Sequence, residues 1–322
     1  MALDRNNTRI CFAHVAYQFQ SQFRKRNTGL DSFEVRTRED LEANIGNADA
    51  LVISGLWRND MLARAPGLRF IQSISAGIDQ YDRAALAAAS VRLASAQGVN
   101  AEAVAEHAIA LILALARRLP EARDNQRRKF WRGMLSDLNQ REDELGGKTL
   151  LIVGTGRIGG RLARLARAFD MHVIGVRRNP AVGANGADEV HGIETLPALL
   201  PRADVVALTC PLVPQTEKLI DKVALGRMKP TAHLVNCARG RVVDEAALID
   251  CLKAGGIAAA ALDVTVEDPL PPASPLWDLP NLLVTPHTGG ETQRYEDNVL
   301  DLLLENLARL WRGETTLVNQ VV

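Results

Sequence analysis

The stretch TLLIVGTGRIGGRLARLARAF, residues 149–169, decides the fold. An apolar run leads into Gly154-x-Gly156-x-x-Gly159, and a helical pattern follows. Strand before and helix after is the context that gives a GxGxxG spacing its meaning. Gly154 permits the tight turn, Gly156 lets the backbone approach a pyrophosphate, and Gly159 lets helix and strand pack closely. The first helical turn, with Arg157 and Ile158, presents backbone N–H groups and the positive end of a helix dipole to phosphates. Ile158, Leu162, Leu165 and Phe169 are expected on one face of that helix. A strand, glycine turn and helix in this order belong to a parallel sheet with crossover helices.

The next apolar run ends in VIGVRRNP, residues 173–180. A dinucleotide site places an acid about 20 residues beyond the glycines, where it accepts from a ribose 2′-hydroxyl. Here the strand ends in Arg177 and Arg178. A guanidinium cannot accept that hydrogen bond. It binds a 2′-phosphate by charge and by its planar fork of donors. The expected cofactor is therefore NADP(H), with NAD(H) as the less favoured partner. Charge-assisted hydrogen bonds contribute roughly 1.5–3 kcal/mol each. One or two, discounted for exposure, favour NADPH by about 10-fold to a few hundred-fold.

Outward from this stretch, strands are expected at 149–153, 172–176, 205–208, 233–236, 259–262 and 282–284, with helices between them. An earlier unit, from about residue 8 to 97, has candidate strands at 10–13, 50–54, 70–73 and 92–94. A long Ala/Leu-rich helix is expected over 101–119, then a charged stretch over 121–144 with Trp131 in its middle. A last helix is expected over 291–311. The 322 residues carry 38 Lys+Arg and 38 Asp+Glu, so the net charge is zero. The basic footprint of a nucleic-acid binder is missing. The most apolar stretch, 108–116, is too short to span a bilayer, and the N-terminus lacks the apolar core of a signal peptide. Cys11, Cys210, Cys237 and Cys251 show no metal-ligand spacing and read as reduced thiols of a cytoplasmic protein.

Three segments carry chemistry: NCARGRVVDEAAL (236–248), ALDVTVEDPLP (261–271) and LLVTPHTGG (282–290). Each follows a candidate strand, and open parallel sheets gather ligands at the carboxyl ends of strands. Arg239 can clamp a carboxylate bidentately. His287 is a natural proton donor near neutral pH. Asp268, or the adjacent Glu267, can hold its imidazole. The set fits hydride transfer to a 2-keto acid: His287 protonates the carbonyl oxygen, and Arg239 binds the carboxylate and polarises the carbonyl.

With these residues in view the chain resembles the D-isomer-specific 2-hydroxyacid dehydrogenases. SAGIDQYD (75–82), GVNAEAVAEHAIALILAL (98–115), GKTLLIVGTGRIGGRLARLARAF (147–169), CPLVPQT (210–216), MKPTAHLVNCARGRVVDEAAL (228–248) and ALDVTVEDPLPPASPLWDLPNLLVTPHTGG (261–290) carry the likeness. The resemblance implies an α/β fold of two Rossmann-like or flavodoxin-like parallel-sheet domains. The cofactor domain, 100–287, would be inserted in a substrate domain made of 1–99 and 288–322, with the active site in a closing cleft. It implies Arg239, Asp268 and His287 as the catalytic set, although the family's acid is usually Glu. It implies substrate contacts from the amides of Ala76 and Gly77, with Trp57 and Arg58 after a strand of the substrate domain. Beyond the glycine turn, Cys210, Pro211, Thr216, Cys237, Ala238, Asp263 and Gly289 join Arg239 and His287 around the cofactor, Asp263 near the nicotinamide carboxamide. It implies a homodimer through the long helix and the region after it, and no metal, nucleic acid or membrane. Relatives with arginines at the second strand tend to use NADPH on glyoxylate or hydroxypyruvate. The alternatives are a dinucleotide-sensing, corepressor-like binding protein and a formate- or phosphite-type oxidase using NAD.

Overall fold

The computed structural model describes residues 3–322, Asn139 by its backbone alone. Among the described residues twelve strands form in chain order: β1 Arg9–Ala13, β2 Asp31–Val35, β3 Ala50–Ile53, β4 Phe70–Ser73, β5 Arg92–Ala94, β6 Thr149–Val153, β7 His172–Val176, β8 Glu189–His191, β9 Val205–Leu208, β10 His233–Asn236, β11 Ala259–Leu262 and β12 Leu282–Val284. The helices between them are α1 Phe19–Lys25, α2 Arg38–Asn44, α3 Arg83–Ala88, α4 Ala101–Ala116, α5 Leu119–Arg127, α6 Arg157–Ala168, α7 Leu196–Leu199, α8 Lys222–Leu225, α9 Glu245–Lys253 and α10 Tyr295–Trp311. Contacts divide the chain into two units, Met1–Asn100 with Thr292–Val322, and Ala101–Glu291.

The first unit holds a sheet of order β2-β1-β3-β4-β5, the second a sheet of order β12-β11-β10-β9-β6-β7-β8. The strand pairs within both sheets are parallel. Parallel sheets are covered on both faces, which is why their central strands read as unbroken apolar runs. In the second sheet the order reverses between β6 and β9, so the crevice at a topological switch point opens beside the glycine turn that follows β6. In the first unit, α10 lays Val299, Leu303 and Leu307 against Phe12, Phe19 and Phe23. Arg26 beyond α1 pairs with Asp297 at 3.0 Å and with Asp301.

Several elements depart from the sequence reading. The long helix stops at Ala116, and Arg118 takes φ +48° before α5 begins. Pro120 explains the break: it has no N–H, its ring would clash with the carbonyl four residues back, and it is tolerated in a helix's first turn. On α6 the buried side is Gly159, Gly160, Leu162, Ala163 and Ala166, whereas Phe169 lies beyond the helix and is exposed. Small residues let this helix sit close to the sheet. The last helix starts at Tyr295 rather than 291, since the Thr292 hydroxyl accepts from the Arg294 amide in a turn. The edge strands β2 and β8 are additional, partly exposed elements.

Candidate active site

The glycine turn is shaped by contact at two positions and by space at a third. Gly154 has φ +104°, and a Cβ there would sit 2.7 Å from the Cys210 backbone. A Cβ on Gly159 would sit 2.2 Å from the Gly154 carbonyl oxygen. A Cβ on Gly156, by contrast, would meet no described atom within 4 Å. Gly156 precedes the first turn of α6, where amides such as that of Ile158 have no acceptor inside the helix. Open space over a glycine at a helix start is the cradle a pyrophosphate needs. Thr209 donates to the Gly154 carbonyl at 2.8 Å and holds the turn against the end of β9.

A cavity of about 630 Å³ continues from this turn, lined by Val153, Gly154, Gly156, Arg177, Arg178, Cys210, Pro211 and Thr216 among others. Its size lies within the range of small-molecule and cofactor pockets. Thr216 shapes the rim, donating to the Pro211 carbonyl at 2.7 Å and accepting from the Val213 amide at 2.9 Å. Arg177 donates to the Gly183 carbonyl at 2.9 Å, and Arg178 is exposed beside it. Both arginines thus border the same cavity as the glycine turn. The residues present fit a dinucleotide.

The second cluster lies at the carboxyl ends of β10, β11 and β12. Buried Asn236 pins the turn after β10: its Oδ1 accepts from the Ala238 amide at 3.0 Å and its Nδ2 donates to the Arg239 carbonyl at 3.0 Å. Arg239 is exposed and donates to the Ala238 carbonyl at 2.7 Å. The next residue, Gly240, is packed so closely that a Cβ would lie 2.0 Å from the Thr265 carbonyl. The loop carrying Arg239 therefore rests on the loop that carries Asp268. Asp268 Oδ2 meets His287 Nδ1 at 2.5 Å, both side chains about half exposed. Asp268 reaches the imidazole despite being a methylene shorter than Glu. Glu267 accepts instead, through its backbone carbonyl, from Thr265 Oγ1 at 2.5 Å.

The Asp268–His287 pair and Arg239 stand at the carboxyl ends of the same doubly wound sheet that carries the glycine turn. The family profile described as D-isomer specific 2-hydroxyacid dehydrogenase, NAD binding domain, matches residues 109–289. The chain belongs to the D-isomer-specific 2-hydroxyacid dehydrogenase family. It is 35% identical over 283 residues to a D-3-phosphoglycerate dehydrogenase of Methanocaldococcus jannaschii, covering 86% of this chain and 52% of that one. The chain thus spans about half the length of the curated phosphoglycerate dehydrogenases it matches. A glyoxylate reductase of Thermofilum pendens is 34% identical over 290 residues, covering 89% of this chain and 86% of that one. Among solved structures, an NADPH-dependent glyoxylate/hydroxypyruvate reductase of Sinorhizobium meliloti in complex with citrate superposes with a TM-score of 0.82 at 26% identity, covering 98% of each chain.

Within this dehydrogenase fold Asp263 is the hub behind His287. Its carboxylate is buried and accepts from Thr285 Oγ1 at 2.7 Å, the Thr288 amide at 3.1 Å and the Gly289 amide at 3.0 Å. These partners flank His287 on both sides. Burial pushes the Asp263 carboxyl up, but hydrogen bonds from His107, Thr285 and the Gly289 amide outweigh it and hold it below the ordinary carboxylate value. A Cβ on Gly289 would sit 2.7 Å from Asp263 Oδ2, so only glycine fits there. Burial, reinforced by the Asp263 charge, pushes the Cys237 thiol up to about 12, and burial pushes Cys210 to about 11. Neither thiol is a nucleophile at neutral pH; Cys210 lines the cavity, while Cys237 and Ala238 are packed into the core on either side of the sheet.

His107 was missed as a site residue by sequence reasoning. It projects from α4, and its Nε2 lies 2.9 Å from Thr285 Oγ1 and 3.3 Å from Asp263 Oδ1. Thr285 already spends its hydroxyl proton on Asp263, so His107 Nε2 is the donor in this chain of contacts. A lone histidine on an Ala/Leu-rich helix face was the available signal, and periodicity does not say what it faces.

In the first unit, Ala76 and Gly77 lie in the bend after β4, Ala76 exposed. Trp57 is packed into the core of the first unit. It is 5% exposed, its ring centroid lies 5.9 Å from that of Tyr81, and its Nε1 donates to Asn59 at 2.9 Å. Its large apolar ring completes the core under β3, and the local asparagine satisfies its one donor. Arg58 is exposed and pairs with Asp60 at 3.3 Å.

Proposed function

We propose that the protein reduces a small 2-keto acid, glyoxylate or hydroxypyruvate, to the D-2-hydroxy acid with NADPH. The observation that carries this reading is the 2.5 Å contact between Asp268 and His287 Nδ1, beside the loop of Arg239. A nicotinamide bound along the glycine-turn cavity would supply the hydride. Asp268 accepts from Nδ1–H and fixes the ring's orientation, which leaves Nε2 as the atom that hands a proton to the substrate's carbonyl oxygen. Arg239 neutralises charge on that oxygen as it develops and clamps the carboxylate. In the reverse direction neutral His287 is the base. Asp263, held as an anion, is placed to accept from the nicotinamide carboxamide, and Arg177 and Arg178 to hold a 2′-phosphate.

We assign the protein to the cytoplasm, since its four cysteines are free and reduced thiols persist there. Among the described residues no helix is long and apolar enough to cross a membrane. A homodimer is the expected assembly: Phe130, Trp131, Met134 and Leu138 are exposed within one short segment, Trp131 at 94%. Apolar side chains gathered this way mark an interface, and size-exclusion chromatography with light scattering tests it.

The deciding experiment is initial rates on glyoxylate and hydroxypyruvate with NADPH against NADH. Turnover with NADPH well above NADH supports both parts of the reading. Preference for NADH keeps the reductase and rejects the arginine argument. No turnover of any 2-keto acid, by protein that still binds nucleotide, favours the sensor alternative.

A further inference from the structure

The loop that carries Arg177 is fastened to the glycine turn by one side chain. Asn185 Nδ2 donates to the Gly156 carbonyl at 2.7 Å and to the Thr155 carbonyl at 3.1 Å. A carboxamide has two such protons, and both are used here. The side chain reaches those carbonyls because residue 160 is glycine: a Cβ there would lie 2.2 Å from Asn185 Nδ2. The next residue, Gly186, at φ +97°, passes so close that its own Cβ would lie 3.1 Å from the Gly160 carbonyl. At the loop's other end, the Arg177 guanidinium is tied to the Gly183 carbonyl at 2.9 Å, two residues before Asn185. The Asn185 amide therefore ties the far end of this loop to the backbone that would meet a pyrophosphate, while the Gly154 amide, donating to the Val176 carbonyl at 2.8 Å, ties the near end just before Arg177.

We propose that Asn185, seated on Gly160, is a positioning residue that fixes the Arg177–Gly186 loop against the glycine turn and so sets the protein's discrimination for a 2′-phosphate. The proposal rests on the NADPH reading above. Without the amide the loop keeps its arginines but loses their register to the phosphate-binding turn. Arginine binds a phosphate strongly only when its planar fork is aligned, so the loss falls on NADPH more than on NADH. A merely structural Asn185 would weaken both nucleotides equally.

The test is calorimetric titration of the full chain with NADPH and NADH, and with adenosine 2′,5′-bisphosphate against AMP. Three variants are compared with the unaltered chain: Asn185→Ala, Gly160→Ala and the double variant. Asn185→Ala is expected to lower the 2′-phosphate preference at least about fivefold, the size set by either one of its two lost hydrogen bonds. Gly160→Ala, which displaces the flexible Asn185 side chain, is expected to do the same. The double variant is expected to match Asn185→Ala alone, because the seat no longer matters once its occupant is gone. In that background the new alanine is expected to raise the melting temperature, since alanine is the better helix residue. A preference that Asn185→Ala leaves intact, or two single effects that add, overturns the brace and leaves the NADPH reading standing. An unaltered chain with no 2′-phosphate preference removes that reading and the proposal with it.

Discussion

The glycine turn after β6 and the His287 loop after β12 lie at the carboxyl ends of one sheet, yet they are made in opposite ways. The glycine turn is made by removing side chains. Gly154 and Gly159 leave room for the protein's own backbone, and Gly156 leaves room for something else. The His287 loop is made by adding partners. Asp268 takes Nδ1, and Asp263 gathers Thr285, Thr288, Gly289 and His107 around the residues that flank it. A site for a cofactor's phosphates can be an absence. A site that moves a proton needs its side chain aimed, and aiming takes hydrogen bonds.

The largest effect expected from this contrast is at His287. His287→Ala is expected to lower turnover by roughly 10²–10⁴, the range for a positioned general acid, with nucleotide affinity nearly unchanged. Stopped-flow single turnovers on glyoxylate check it, and near-normal turnover by folded protein would sink the proton-donor role.

The two glycines separate packing from binding. Gly156→Ala is expected to leave the melting temperature in place, since its Cβ enters open space, while nucleotide affinity falls about 10- to 100-fold because the backbone can no longer approach the pyrophosphate. Gly159→Ala is expected to destabilise the fold itself by about 1–3 kcal/mol, the range for overpacking. If both variants lost stability alike, the distinction between a packed and an open glycine would be wrong.

Next in size is the nucleotide preference. Arg177→Asp combined with Arg178→Ala is expected to cut the NADPH-over-NADH ratio in kcat/KM by at least about tenfold, the low end for lost charge-assisted bonds after solvent screening. An unchanged ratio would mean that the two arginines are solvated surface charges.

The same contrast decides what could be read in advance. The glycine turn was legible because its requirement is local: spacing, a strand before, a helix after. The central strands were legible because two-sided burial makes them apolar throughout. β2 and β8 were not, since an edge strand such as Glu189–His191 is polar and partly exposed. Trp57 was named among the substrate contacts from its place after a strand, but whether an aromatic ring packs into the core depends on partners such as Tyr81 that no local pattern reveals. His107 and Asn185 were missed for the same reason: their partners, Thr285 with Asp263 and Thr155 with Gly156, lie far along the chain. The residues alone left Asp268 and Glu267 both open beside His287; the family resemblance favoured Asp268, and the geometry shows its carboxylate on Nδ1.

The smallest expected effect probes the clamp from behind, at His107. Asp263 sits below the ordinary carboxylate value in the folded chain because donors including His107 outweigh its burial. A depressed folded value means that Asp263 adds stability above its unfolded pKa of about 3.9, and that this stability is lost as pH falls through the folded value. His107→Ala removes one donor, so the folded value rises toward the unfolded one and the acid-unfolding midpoint moves to higher pH. The loss at neutral pH is expected to be about 1 kcal/mol, the net worth of one hydrogen bond. His107→Gln, which keeps a donor on a side chain of similar reach, is expected to recover part of it. An acid midpoint that does not move in His107→Ala would mean that Thr285 and the two amides hold Asp263 without help, and that the imidazole merely fills space.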